Sequence, residues 1–173
     1  MDDAALVARQ LGRAPRAFHR VLARCPFGRP AVTEQVPYDR VGEPFPTTYY
    51  LTCPQLVAAI ARIEAAGGVE RWSEAARDDP ELRESLARAT EEQRAIRTEL
   101  AGDRHGRDEG ASLQYGIGGS RSPGHLKCLH AHAAFALARP GYVLGERILA
   151  EVDPLWPPDR CCVAELASAD REG

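Results

Sequence analysis

The sequence predicts one α+β domain dominated by helices, with five or six helices around a small two-stranded β element. Apolar residues recur at spacings of three and four in several separate segments, which is the helical period. Only residues 47–52 form a segment rich in β-branched and aromatic residues, as in a strand. The 173 residues, 44% of them hydrophobic, can bury one core without disulfides.

Residues 6–24 predict an amphipathic basic helix. Apolar residues follow the helical period there, and five arginines fall on the opposite side: Arg9, Arg13, Arg16, Arg20 and Arg24. Pro15 predicts a break near residues 12–14, since proline suits the first position of a second helix. A basic face of this kind could bind RNA or an acidic partner, and a solvated face is the alternative. A pI near 6.0 argues against a dedicated nucleic-acid binder.

Two short strands follow the basic segment. Cys25 is followed by prolines and a glycine that end any helix, and residues 31–36 then alternate as in a strand. Residues 37–46 read as a loop, and residues 47–52 form the second strand. We expect these two strands to pair as a hairpin.

Three helices are predicted next. The first runs from Pro54 to about residue 66 and stops at two glycines, and a short second helix covers residues 69–77. Asp79 is a typical N-cap, and Pro80 at the first helical position starts a long helix to about residue 101.

The last third of the chain combines a long loop with two further helices. Residues 102–124 are polar and rich in glycine, which indicates either a functional or a flexible loop. Residues 125–139 and 143–152 follow the helical period again. We therefore expect one globular domain over residues 1–152 and a flexible tail over residues 153–173.

Neither a membrane-spanning run nor an export signal is visible in the sequence, which predicts a cytoplasmic location. The formal net charge is −3, no apolar run is long enough to span a membrane, and no export signal is visible at the N-terminus. An odd number of cysteines in a reducing compartment argues against a disulfide framework. They are therefore free thiols, metal ligands or redox groups: Cys25, Cys53, Cys128, Cys161 and Cys162.

Residues 125–132 concentrate the side chains that could carry chemistry. On a helix, Cys128 and His132 would share a face, and His130 would point elsewhere. Cys25 and Cys53 lie at predicted helix boundaries, each followed by proline. Three sulfurs with one histidine suit zinc or an iron–sulfur cluster. The candidate ligands are Cys25, Cys53, Cys128, His130 and His132, and the alternative is that they are buried, structural side chains.

The same segment also suggests a thiol-dependent enzyme without metal. Cys128 follows Lys127, the only lysine of the chain, and a nearby cation can stabilise a thiolate. Lys127, Cys128 and His130 are then the catalytic candidates. Lys127 alone could also form a Schiff base or contact phosphate, or it could be the one lysine retained by chance.

The glycine-rich stretch before this segment resembles an anion-binding loop. Gly118 and Gly119 could present backbone N–H groups, and Arg121 could add a charge, so that the loop holds a phosphate-containing ligand. The stretch does not match a phosphate-binding P-loop, and a flexible hinge is the alternative.

Four segments together resemble a bacterial family catalogued as domain of unknown function five hundred and one. They are Cys25-Pro26-Phe27-Gly28, the stretch from Pro44 to Pro54, Gly116-Ile117-Gly118-Gly119, and Lys127-Cys128-Leu129-His130-Ala131-His132. The resemblance covers roughly residues 5–152 and implies no activity, cofactor or partner. It favours Cys25, Cys53, Lys127, Cys128 and His130 as family residues, whereas helical geometry favours His132 beside Cys128. Cys161 and Cys162 lie outside it.

Overall fold

A computed structural model describes residues 2–122 and 124–161. Within them, six α-helices surround a three-stranded antiparallel sheet. The helices are α1 (Asp3–Leu11), α2 (Pro54–Ala65), α3 (Gly68–Asp78), α4 (Pro80–Ala101), α5 (Leu129–Ala138) and α6 (Val143–Ala150). The strands are β1 (Phe18–Arg24), β2 (Pro30–Gln35) and β3 (Tyr49–Leu51). The α+β class is confirmed, but the described sheet has three strands and not two.

The additional strand, β1, takes the place of the second half of the predicted basic helix. Gly12, with a φ of 66°, ends α1. β1 then pairs with β2, and the register shifts between Phe18 and Arg20, between Val21 and Ala23, and again before Arg24. Each irregularity breaks the two-residue alternation of a strand. The apolar spacing in β1 therefore imitates a helical period, which is why the prediction was wrong here.

β2 is the central strand of the sheet, in the order β1-β2-β3. The predicted pairing of residues 31–36 with residues 47–52 is confirmed, with Thr33 opposite Tyr50. All six residues of β2 are buried. The buried carboxylate of Glu34 therefore needs a partner, and Arg20 Nε donates to its Oε2 at 2.7 Å.

α5 is the central helix of the fold. It packs against β3, α2 and α6, and seven of its ten residues are buried. Its alanines allow close packing, and a Cβ at Gly145 of α6 would lie 2.6 Å from the carbonyl oxygen of His132. α5 begins at Leu129 and not at residue 125, because Cys128 is extended, with φ −157° and ψ 148°.

A fully buried arginine ties two loops to α4. Arg97 is 0% exposed, and it donates to the carbonyl oxygens of Phe45 at 3.0 Å and Ser112 at 3.2 Å. Burial lowers the pKa of Arg97 to about 10, so that it stays charged at neutral pH. These bonds hold the segment before β3 against the helices.

The first residues after α6 pack against the main core. Leu155, Trp156 and Cys161 contact the main core, although a flexible tail was predicted from residue 153. Residues 162–173, including Cys162, lie outside the described part of the chain, as do Met1 and Pro123. Of the helices described, none is both long and apolar enough to cross a membrane.

Candidate ligand-binding site

Three of the segments singled out in the sequence meet at the N-terminal end of α5. A Cβ at Gly118 would lie 3.1 Å from Ala131 Cβ and 3.5 Å from Cys128 Sγ. A Cβ at Gly119 would lie 2.8 Å from Pro46 Cβ. Both glycines have positive φ, 69° and 77°. Glycine therefore lets this loop approach both α5 and the segment that leads into β3.

The same contacts give the glycine-rich loop a packing role. Gly116 donates its N–H to the carbonyl oxygen of Ser120 at 2.7 Å, and Gly119 donates to that of Gly116 at 3.0 Å. The guanidinium of Arg121 lies 5.0 Å from the centre of the Tyr115 ring. Along the sequence, the loop also ends well before the first residue of α5, so it does not lead directly into that helix. Anion binding by Gly118, Gly119 and Arg121 stays a prediction, and these contacts do not support it.

Cys128 has the environment of a neutral thiol. Burial raises the pKa of Cys128, the backbone N–H of Ala131 opposes that shift, and the carboxylate of Glu64 adds to it. Lys127 lowers the pKa only as a smaller contribution and is itself exposed. Its Nζ lies 3.7 Å from where a Cβ of residue 119 would be. This environment does not favour an activated nucleophile.

His130 is held on both sides of its ring by α2. Its Nδ1 lies 3.1 Å from Glu64 Oε1, and its Nε2 lies 3.1 Å from the carbonyl oxygen of Val57. Glu64 Oε1 also accepts the N–H of Leu129 at 2.5 Å. Both ring nitrogens of His130 therefore have a partner within hydrogen-bond distance, which leaves neither of them free for a metal or a thiol.

His132 has the opposite environment, two residues further along α5. It is 2% exposed, and its Nδ1 lies 2.7 Å from the hydroxyl of Tyr142. Its Nε2 is buried with no hydrogen-bond partner in the described part of the chain. Burial lowers the pKa of His132 to about 3, and it raises the pKa of Tyr142. His132 is therefore neutral at physiological pH.

The predicted metal ligands do not form a cluster. Cys25 is buried at the end of β1, and Cys53 is buried in the main core at the start of α2. Among residues 2–122 and 124–161, no three His, Cys, Asp or Glu side chains could hold a metal ion together. A zinc or iron–sulfur site stays a prediction that this geometry does not support.

The predicted basic face is divided among α1, the segment that follows it and β1, and four of its five arginines have acidic or aromatic neighbours. Arg24 pairs with Asp3 at 2.7 Å, and Arg16 Nε lies 3.7 Å from Asp39. Arg13 Nη2 lies 3.4 Å from the hydroxyl of Tyr50. Arg20 is paired with Glu34. Binding of RNA or an acidic partner by this face stays a prediction, and these contacts do not support it.

A cavity of about 540 Å³ opens between α1, β3, α2 and α5, and we call it the neutral cavity. Cys128 and His130 line it on the α5 side, and the stretch from Tyr49 to Thr52 lines it on the sheet side. None of its lining residues is Asp, Glu, Lys or Arg. Two lining residues carry buried polar atoms that have no hydrogen-bond partner among the residues that the structure describes, Thr52 Oγ1 and Gln10 Oε1.

Sequence reasoning missed several residues that shape this region. The sequence marks Thr52 as a strand residue within the segment from Pro44 to Pro54, and it marks Gln10 and Glu64 as parts of helices. Tyr142 lies between two predicted helices and carries no signal of its own. No local pattern marks a hydroxyl that will be buried without a partner. For Glu64, the nearest signal in the sequence is an acidic residue that lies on an otherwise apolar helix.

No curated protein and no solved structure matches the chain significantly. The model of one protein family matches residues 21–150, which is most of the chain and includes the second half of β1, strands β2 and β3 and all described helices except α1. That range also contains both the glycine-rich loop and the start of α5. The chain therefore belongs to the family described as "Protein of unknown function (DUF501)".

Proposed function

We propose that this protein binds a small uncharged molecule in the neutral cavity. The observation that carries the proposal is the hydroxyl of Thr52. This residue is 1% exposed and lines the cavity, and its Oγ1 has no hydrogen-bond partner in the described part of the chain. A ligand would supply that partner.

A buried hydroxyl without a partner is costly for the folded protein. The penalty is about 1–3 kcal/mol, so such groups usually indicate a missing partner. Gln10 adds a second unpartnered atom at the same cavity. Its Nε2 donates to the carbonyl oxygen of Pro30 at 2.8 Å, which leaves Oε1 as a free acceptor. The ligand therefore carries at least one N–H or O–H donor.

The walls of the cavity favour a neutral and largely apolar ligand. Leu11, Leu51 and Val57 provide aliphatic surface, and Tyr49 and Tyr50 add aromatic rings. A charged ligand would lose its hydration without gaining an ion pair, because His130 is already paired with Glu64. A volume of about 540 Å³ also lies in the range typical of small-molecule sites.

The first experiment uses N-phenyl-1-naphthylamine, a neutral dye with an apolar body and one N–H, whose fluorescence rises in apolar sites. We expect saturable binding by the unmodified protein. Ala58→Trp should abolish it, because Ala58 is exposed on α2 and lines the cavity. Ala61→Trp, at another exposed position of α2, is the matched control and should bind normally. Absence of binding, or equal binding by both variants, would refute the proposal.

The second experiment compares two buried threonines. Thr52→Val removes the unpartnered hydroxyl, so we expect it to stabilise the protein by about 1 kcal/mol and to weaken dye binding about fivefold. Thr33→Val is the control, because Thr33 Oγ1 accepts from Gln35 Nε2 at 2.7 Å and its loss should destabilise. Urea denaturation and dye titration measure both effects. A destabilised Thr52→Val with unchanged binding would contradict the proposal.

A further inference from the structure

A second cavity lies between α3 and α4. Its volume is about 550 Å³, and we call it the arginine cleft because Arg77, Arg83 and Arg94 line it. Ala76 and Leu86 provide its apolar wall. It shares no lining residue with the neutral cavity. Any ligand of this cleft is therefore independent of the proposed function.

The arginine cleft adjoins a much smaller inner cavity of about 20 Å³. Both are lined by Leu86, Thr90 and His125, and the inner cavity is also lined by His132. The volume suffices for one water-sized group, which needs about 10–15 Å³. Within the described part of the chain, His132 Nε2 is buried and has no hydrogen-bond partner. A water-sized group in the inner cavity would supply that partner.

The arginine cleft carries more positive than negative charge. Arg94 contacts Glu91 at 2.5 Å, and Arg77 lies 3.6 Å from the exposed carboxylate of Asp78. Arg83 Nη1 donates to the carbonyl oxygen of Arg77 at 2.7 Å. Within the described part of the chain, no carboxylate lies within 4 Å of Arg83. A guanidinium in this state can still form a charge-assisted hydrogen bond.

We infer that the arginine cleft binds a small organic anion. The guanidinium of Arg83, with those of Arg77 and Arg94, holds the anionic group at the surface. Ala76 and Leu86 contact the apolar body of the ligand. His132 Nε2 completes the site from inside, through one water molecule in the inner cavity.

The test uses 8-anilinonaphthalene-1-sulfonate, which has the body of N-phenyl-1-naphthylamine and adds a sulfonate. It is performed in the Ala58→Trp background, so that the neutral cavity is blocked. We expect the anionic dye to bind and the neutral dye to bind weakly. Arg83→Gln should weaken the affinity for the anionic dye about fivefold or more. Arg88→Gln, an exposed arginine of α4 outside the cleft, is the matched control and should change little.

A second readout reports on His132 directly. The side-chain 15N resonance of His132 Nε2 should shift when the anionic dye binds, whereas that of His130 should not. Equal binding of the two dyes, an Arg83→Gln variant with unchanged affinity, or an unmoved His132 resonance would each overturn the inference. Binding of the neutral dye by the unmodified protein, and its loss in Ala58→Trp, tests only the proposed function. The Arg83→Gln variant and the His132 resonance test only this inference, so the two proposals fail separately.

Discussion

Two histidines on opposite sides of α5 differ in how well their ring nitrogens are hydrogen-bonded. On the side of α2, His130 has a partner for each ring nitrogen and lies beside the carboxylate of Glu64. On the side that faces the Tyr142 hydroxyl, His132 is buried and neutral, and its Nε2 has no hydrogen-bond partner within residues 2–122 and 124–161. The first histidine fastens the helix to its neighbour, and the second leaves an unsatisfied polar atom in the interior.

This difference explains why the two sides suit different ligands. Because His130 is paired with Glu64, the neutral cavity offers no charged group to a ligand. The shape of its walls and the polar atoms of Thr52 and Gln10 therefore determine which ligand fits. The unpaired His132 adjoins a cleft whose mouth carries arginines. The glycine-rich loop packs against the start of α5 and connects the two regions. Substitutions that disturb one side should therefore leave the other measurable.

The largest expected effect is the acid sensitivity caused by His132. The folded protein resists protonation of His132 down to a pKa of about 3, whereas the unfolded chain binds that proton below about pH 6.5. The unfolded state therefore binds more protons in this window, and stability falls as pH falls, by about 1.4 kcal/mol per unit. His132→Gln should remove this contribution, about 4 kcal/mol between pH 6.5 and 3.5.

Urea denaturation across that pH range measures the effect. Three carboxyl groups also have lowered pKa values, so their protonation destabilises the protein in acid: Asp79, Asp108 and Glu151. Only the difference between the variant and the parent protein is therefore informative. Parallel pH curves for the two proteins would show that His132 is not buried as described.

The next largest effect concerns the loop that connects the two sides. Gly119→Ala should destabilise by about 3 kcal/mol, because residue 119 has a φ of 77° and its Cβ would lie 2.8 Å from Pro46 Cβ. Gly116→Ala is the control. Its φ is −75° and its nearest contact would be 3.4 Å, so we expect less than about 1 kcal/mol. Equal losses in thermal unfolding would argue against this loop packing.

A smaller effect is expected on the α2 side. Glu64→Ala removes the acceptor of the Leu129 N–H and the partner of His130, at a cost of about 2 kcal/mol. Glu70→Ala, at an exposed position of α3, should stay within about 0.5 kcal/mol. Chemical denaturation at pH 7 provides the comparison. Similar values for the two variants would mean that the His130 pair adds nothing to stability.

The smallest effect is expected for the only lysine. Lys127 is exposed and lines neither the neutral cavity nor the arginine cleft. Lys127→Arg should therefore change stability by less than about 0.5 kcal/mol and leave the affinity of both dyes unaltered. Loss of binding of either dye would show that the amine itself takes part, and the catalytic hypothesis for Lys127 would then regain support.

The elements that were predicted well have strong local signals. α4 starts at Asp79 and Pro80 as expected, and the Asp79 side chain accepts the N–H of Glu81 at 2.9 Å. β1 was missed because its irregular register hides the alternation of a strand. The start of α5 was placed too early. Cys128 is therefore the N-cap of α5 and not a residue within the helix that carries His132.

The sequence by itself determined the α+β class, most helices, the pairing of β2 with β3, and the segments around Gly118 and Cys128 that meet in the fold. Those features follow from periodicity, capping and glycine placement, which are local properties of the chain. Only the tertiary structure decided which polar atoms find partners. In the described part of the chain, Thr52 Oγ1 and His132 Nε2 find no hydrogen-bond partner, whereas Glu64 contacts His130, and residues far away along the chain decide both outcomes. Burial and hydrogen-bond satisfaction depend on such distant neighbours, so no local pattern can reveal them.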